Sequence, residues 1–367
     1  MTTNGRERDV NAAKIKVIGV GGGGSNAVSR MFRERIPGVE YIVVNTDSQA
    51  LLRADVPLKI QIGEQLTGGK GVGGDPELGM RSAEESREEL YEAVRDSDMV
   101  FVAVGMGGGT GTGAAAVIGQ VAKETGALTV GVVTRPFAFE GLRRASAADE
   151  GINRMRENVD TLLAIPNERL HVICEEEITA ENAFRMADDV LRLGVQSIAE
   201  LVTVPGEINV DFADVQAIMR NAGPAWMSIG WGIGEHRARE AAQRAITNPL
   251  LDVSIEGANG VLFNISGGSD LKLSELHEAA EVIQRVVDPD ANIIFGMVSD
   301  SKLENEIKLT IIATGFPTSE SMQEKEEHIS DMLRDALSGD SSQLDVPPFL
   351  RRYSKARKSN HTRAVTP

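Results

Sequence analysis

The chain holds a single cysteine, Cys174, among 367 residues, so no disulfide can form within it and a reducing compartment is the expected home. Aromatic side chains make up only 4%, too few for a nucleic-acid surface built on stacked rings. Positive charge is scarce too: 38 Lys and Arg against 54 Asp and Glu give a formal net charge of −16, which repels a polyanion from most of the surface. No nucleic-acid partner is therefore expected. The opening residues are polar and charged without an apolar run, so no secretory leader is expected there. The five histidines are scattered, and no His/Cys cluster suggests a metal site in the protein itself. The longest uncharged run, Met99 to Ala122, covers 24 residues, long enough for a membrane helix. Seven of those 24 are glycine, which favours a buried strand, a loop and then a helix over one continuous span.

What is present is an alternation. Short β-branched apolar runs at 14–20, 41–44, 58–62, 99–104, 128–133 and 160–165 read as strands, most of them apolar on both faces as in a parallel sheet covered by helices. Helical patterns at 25–35, 77–93 and 114–125 lie between them. This predicts an α/β fold with a Rossmann-like, mostly parallel sheet and ligand loops at the C-terminal ends of its strands. A long helix is predicted from 180 to 204, with Phe184, Ala187, Leu191, Val195, Ile198 and Leu201 on one stripe, ended by Pro205-Gly206. A second, smaller α+β domain follows, with helices at 215–221, 237–247 and 273–286 and strands at 260–265, 292–298 and 307–314. The expected divisions are an N-terminal extension 1–13, a first domain 14–178, the central helix 179–204, a second domain 205–316, a linker 317–344 and a terminal segment 345–367.

Two glycine clusters each follow a strand and precede a helix. Gly19-Val-Gly-Gly-Gly-Gly24, with Ser25 and Asn26 behind it, satisfies the dinucleotide pattern, and Asp47 ends the next strand where a ribose-binding acid would stand. A tight strand-to-helix turn satisfies the same spacing. The second cluster, Gly105-Met-Gly-Gly-Gly-Thr-Gly-Thr-Gly113, runs straight into a helix. Backbone N–H groups can face an anion where no side chain intervenes, the helix dipole helps, and Thr110 and Thr112 offer hydroxyls. A dinucleotide fold needs only one such loop, whereas a di- or triphosphate cradled from both sides needs two. No Gly-x-x-x-x-Gly-Lys-Ser/Thr occurs, so this is not a P-loop protein. A third loop, Gly68 to Pro76, is placed to close over the phosphates. An NTPase of cytoskeletal type and a dehydrogenase both remain open at this point.

The segments GVGGGGSNAV, VVNTDSQAL, GGGTGTGAA and TRPFAFEG, in this order, resemble the tubulin/FtsZ family of GTPases from about Lys14 to Phe316, and the resemblance resumes at Asp345–Arg352. It implies GTP or GDP as ligand, with Mg²⁺ on the phosphates, and assembly of the chain with copies of itself at the bacterial division site in the cytoplasm. The residues implied in nucleotide binding are Gly22, Gly23, Ser25 and Asn26 in the first loop and Gly73 in the third. In the second loop they are Gly107, Gly108, Gly109, Thr110, Gly111, Thr112 and Gly113. Glu140 and Arg144 match ribose and phosphate or base contacts, and Asn167 matches a base contact. Phe184 and Asp188, four apart and so on one helix face, suit guanine: a ring to stack on, and a carboxylate to accept from its N–H and amino group together.

Asp211 and Asp214 lie three apart at a predicted helix start, where capping chemistry alone would explain them. The resemblance instead implies that they and Asn209 complete the nucleotide site of a neighbouring subunit, so that hydrolysis occurs in trans. The terminal Asp345-Val-Pro-Pro-Phe-Leu-Arg-Arg352 is similar to the family's docking peptide for membrane-tethering and regulatory partners, with Asp345, Pro347, Phe349, Leu350 and Arg351 as contacts. From Phe349 onward there are six basic residues and no acid, which implies a weak added attraction to anionic lipid. The sequence departs from the family pattern at Ser25, at Ala116, at Trp231 and at Asp75, the last expected to bring an extra acid near the phosphates.

Overall fold

The computed structural model describes residues 13–170, 179–204, 206, 208, 210–247, 255, 257–300 and 303–316. Among these residues ten strands form one sheet: β1 (Ile15–Val20), β2 (Val39–Asn45), β3 (Leu58–Gln61), β4 (Met99–Gly105), β5 (Leu128–Arg135), β6 (Thr161–Pro166), β7 (Gly223–Ile233), β8 (Gly260–Gly267), β9 (Asn292–Ser299) and β10 (Glu306–Thr314). Their order is β3-β2-β1-β4-β5-β6-β7-β10-β8-β9. The first six are parallel to their neighbours, and β10 runs antiparallel to both β7 and β8. The order reverses between β1 and β4, which opens a crevice at their C-terminal ends where both glycine loops emerge.

All six strands expected in the first half are present. They are buried because helices cover both faces. On one face α1 (Gly21–Glu34), the central helix α8 (Ala180–Thr203) and α9 (Phe212–Met219) share a core in which Phe101, Val130 and Leu191 are buried. On the other lie α4 (Pro76–Glu85), α5 (Arg87–Val94), α6 (Thr110–Glu124) and α7 (Leu142–Asn158), packed over Val102, Val104 and Ile118. Short helices α2 (Ser48–Arg53) and α3 (Glu64–Thr67) follow β2 and β3. In the second half, α10 (Arg237–Ile246) and α11 (Leu273–Gln284) cover β8 and β10 around Phe263 and Leu309.

Several expectations need correction. The helix predicted from 77 to 93 is two helices, broken at Ser86, whose hydroxyl accepts from the Gly63 N–H at 3.2 Å instead of pointing to solvent. Strand β7 went unread because Gly230 and Gly232 look like breakers. Helix α10 lies so close to β7 that a Cβ on either glycine would fall within 1.9 Å of the Ala241 or Arg237 carbonyl oxygen. Through β7 the two halves share one sheet, although only Thr161–Leu163 pair with Gly223–Ala225 across the join. Helix α7 is not among the helices expected from the sequence. The uncharged run 99–122 is strand, turn and helix, as its glycines suggested. No helix among the described residues is long and apolar enough to cross a membrane.

Candidate nucleotide site

Helix α1 begins at Gly21, directly after β1, and α6 begins at Thr110, with four residues between it and β4. Both start earlier than the sequence pattern suggested, because the glycines themselves form the first turns. Neither N-terminus carries a side-chain cap. Their first N–H groups therefore remain available to an anion, and the two helix dipoles converge on it.

The crevice between them is a cavity of about 400 Å³. From the two glycine loops Gly22, Gly23, Gly108, Gly109, Thr110 and Gly111 line it. A Cβ built on Gly22 or Gly108 would meet nothing within 4 Å, so these glycines face open space. The Thr110 hydroxyl lies 2.7 Å from that of Thr46, which fixes the rim of the loop. Asn26, Glu140, Arg144, Asn167, Phe184 and Asp188 line it as well. Thus 12 of the residues singled out from the sequence come together around one space.

The acids in this cavity are already engaged. Glu140 accepts from the Phe137 N–H at 3.0 Å through one oxygen and from Arg144 through the other. Asp188 Oδ2 lies 3.4 Å from Nε of Arg30, and its side chain is only 14% exposed. Burial pushes the Asp188 carboxyl up from 3.8 to about 6, even though Arg30 pulls it down, and neighbouring Asp189 adds to the rise. Phe184 packs edge-on against Phe137 at 5.6 Å and Phe139 at 6.2 Å and keeps a half-exposed face. Asn167 is 5% exposed and its Oδ1 has no hydrogen-bond partner. An orphaned buried acceptor in a cavity wall fits a ligand that supplies the donor.

Five candidates are placed elsewhere. Gly107 lies behind the loop, and its N–H donates to the buried Thr112 hydroxyl at 2.9 Å, so Thr112 braces the turn and does not face the cavity. Gly113 is a packing glycine, since a Cβ there would lie 1.9 Å from the Pro76 carbonyl oxygen and force α6 off α4. Gly73 does not line the cavity. Ser25 lines a neighbouring cleft, and its Oγ is buried without a partner. Two acids also have local duties. Asp47 caps α2 by accepting from the Gln49 N–H at 2.8 Å, against a ribose role. Asp75 caps α4 by accepting from the Glu77 N–H at 2.9 Å and does not line the cavity. The sequence reading missed Met106, Thr134, Pro136 and Leu191, which line the cavity as apolar or small residues without chemical signature.

Asp211 stands at the N-cap position of α9 yet makes no capping bond, and Asp214 sits in the first turn. Both are exposed, neither lines the cavity, and neither carboxylate has a partner among the described residues. Asn209 and the terminal segment with Asp345, Pro347, Phe349, Leu350 and Arg351 lie outside the described residues.

A model of the tubulin/FtsZ family GTPase domain matches residues 14–175, and a model of the FtsZ family C-terminal domain matches 223–317. The chain is similar to an empty FtsZ dimer from M. jannaschii at 46% identity over 83% of this chain and 88% of that one, with a TM-score of 0.79. A point mutant of M. jannaschii FtsZ matches at 46% identity over 83% and 92%, with a TM-score of 0.80. CetZ1 from Haloferax volcanii, a GDP-bound monomer, shares the fold at 23% identity, over 87% and 99% and with a TM-score of 0.72. With both family models matched in order behind a doubly glycine-lined cradle, the chain belongs to the tubulin/FtsZ family as an FtsZ-type protein, a GTPase domain followed by an FtsZ C-terminal domain.

Proposed function

We propose that this chain is a polymerising GTPase whose subunits stack head to tail, each supplying Asp211, Asp214 and Asn209 to the nucleotide held by its neighbour. One observation carries the reading. The acids lining the cavity, Glu140 and Asp188, are both held by other groups, whereas Asp211 and Asp214 are exposed, uncapped and outside it. Among the described residues, a chain alone therefore has a phosphate cradle without a free base, and an exposed carboxylate pair away from that cradle. Head-to-tail contact joins them, as a heterologous interface that does not close. The FtsZ relative from M. jannaschii described as a dimer supports self-association.

In the cradle, the N–H groups at the starts of α1 and α6 hold the phosphates and favour the charge that develops on them. Asp188 accepts from guanine N1–H and the 2-amino group, Phe184 stacks on the ring, Asn167 and Asn26 meet its edge, and Glu140 and Arg144 contact the ribose side. Thr110, Gly22, Gly23, Gly108, Gly109 and Gly111 surround the phosphates. The partner's Asp pair orients a water in line with the γ-phosphate and accepts its proton. No group of three or more His, Cys, Asp or Glu among the described residues could hold a metal, so Mg²⁺ would be held by the phosphate oxygens and its own waters, where it neutralises charge.

We further infer that the filaments organise the cytoplasmic division site, with Asp345–Arg352 as the docking peptide for tethering partners and the basic end giving weak lipid contact. GTP turnover measured against protein concentration, alongside light scattering, tests the central reading. A shared threshold in both signals is expected. Turnover proportional to protein from the lowest concentration would overturn assembly-dependent hydrolysis. For the tail, pull-down with the full chain but not with one ending at Asp340 is expected.

A further inference from the structure

Beside the nucleotide cavity, between α1 and α2, lies a second cleft of about 520 Å³. It shares Gly22 and Asn26 with that cavity, and Arg30, Arg33 and Arg53 line it with no acid in its wall among the described residues. Three guanidinium groups around one cleft are unusual on a chain of net charge −16, although Arg30 and Arg33 each reach a carboxylate outside it. Arg33 is held on one side only, by Asp55 at 3.2 Å, and Nε of Arg53 donates to the Gln49 carbonyl at 3.3 Å in its own helix. No carboxylate among the described residues pairs with Arg53. Ser25 forms part of the wall, is 4% exposed, and has an Oγ without any partner. The Ser29 hydroxyl donates at 2.7 Å to the Ser25 carbonyl and so is turned inward. A buried hydroxyl with a donor to give, in a cleft that three guanidinium forks also line, matches the acceptor oxygens of a phosphate.

We propose that this cleft is a second anion site, taking a phosphate group, and that Arg30 couples it to the nucleotide cavity. Arg30 stands between the two. In the structure its guanidinium lies on Asp188, the acid that the proposed function assigns to guanine, so this inference rests on that reading for the coupling. Guanine's two donors occupy the Asp188 oxygens, and Arg30 is then released to the cleft, where it joins Arg33 and Arg53. Nucleotide binding thereby raises the cleft's positive charge, and by reciprocity an anion there favours guanine. Inorganic phosphate and a phosphate ester share this chemistry.

The test uses the full chain saturated with a non-hydrolysable GTP analogue, below its assembly concentration, so that the cradle is already filled. Inorganic phosphate, and separately a small phosphate monoester, is titrated in by calorimetry or ³¹P NMR. One saturable site is expected. Arg53→Ala should weaken it at least about tenfold, as loss of a bidentate charge-assisted contact does, with analogue affinity unchanged. Arg30→Ala should weaken it by a similar factor. A response to the monoester but not to inorganic phosphate would identify an ester as the occupant, and the reverse would identify the free ion. Absence of saturable uptake of either, or uptake unchanged in Arg53→Ala, overturns the site. Uptake that ignores Arg30→Ala overturns the coupling. Failure of the analogue to bind would refute the nucleotide reading instead, and the Arg53→Ala comparison on nucleotide-free chain would still decide the cleft.

Discussion

Replacing Asp188 with Asn separates the fold's interest from the ligand's. In the empty protein the Asp188 carboxyl is raised from 3.8 to about 6, so holding it ionised at neutral pH opposes folding. At about 1.4 kcal/mol per pH unit, that difference corresponds to about 3 kcal/mol. The sign follows from linkage: the folded state binds the proton more tightly, so stability falls as pH rises from about 4 to about 6 and is flat above. Asn carries no charge and is released from this penalty, while Arg30, whose side chain is 32% exposed, loses its partner with water close by. Nucleotide-free Asp188→Asn is therefore expected to be about 1–3 kcal/mol more stable than the parent at pH 7, and nearly equal to it at pH 4, by chemical denaturation. Guanine binding should move the other way. Asn offers one acceptor and one donor where guanine presents two donors, so about 3 kcal/mol, or roughly a hundredfold in affinity, should be lost. A xanthine nucleotide, whose 2-oxo group accepts where guanine donates, should recover much of that loss. A variant that is less stable than its parent at pH 7, or one that still prefers GTP over the xanthine nucleotide, would refute the assignment.

Three further outcomes follow from the same geometry. Guanine affinity of the parent should fall as pH drops through about 6, roughly tenfold by pH 5, because a protonated Asp188 has lost one acceptor; isothermal titration with GDP reads this, and Asp188→Asn should show no such step. Gly113→Ala should destabilise by about 3 kcal/mol or prevent folding, since its Cβ would lie 1.9 Å from the Pro76 oxygen, whereas Gly108→Ala, with nothing within 4 Å, should fold normally by thermal melting and weaken only nucleotide binding. Asp214→Ala should bind GTP as the parent does and lose turnover by roughly 10²–10⁴-fold.

The sequence was most legible where one physical requirement leaves one residue type. Parallel strands buried on both faces read as unbroken apolar runs, and all six in the first half stand where expected. Phosphate loops need bare backbone, so both glycine clusters were found. The pattern could not tell which glycine faces the ligand and which permits close packing: Gly108 and Gly113 look alike in the chain, and only the approach of Pro76 separates them. The same blindness hid β7, whose Gly230 and Gly232 serve α10. Capping acids were misjudged for a related reason. Asp47 and Asp75 stand near the loops in sequence, but their carboxylates are bound to the helix starts they cap. Asp211 shows the converse, standing at a cap position whose capping bond its side chain does not make. Arg30 carried no motif at all, and its pairing with Asp188 is visible only once α1 lies against α8.

The central claim is that a complete active site requires two chains, and mixing two inactive variants tests it most directly. Asp214→Ala retains the cradle but lacks the acid. Gly108→Trp fills the cradle from a position with open space around it and retains the acid. Each alone should show almost no GTP turnover. An equimolar mixture should recover it, to roughly a quarter of the parent rate if subunits assemble at random and one head-to-tail junction in four joins a sound cradle to a sound acid. A mixture as inactive as its components, with both variants shown to co-assemble, would contradict hydrolysis in trans.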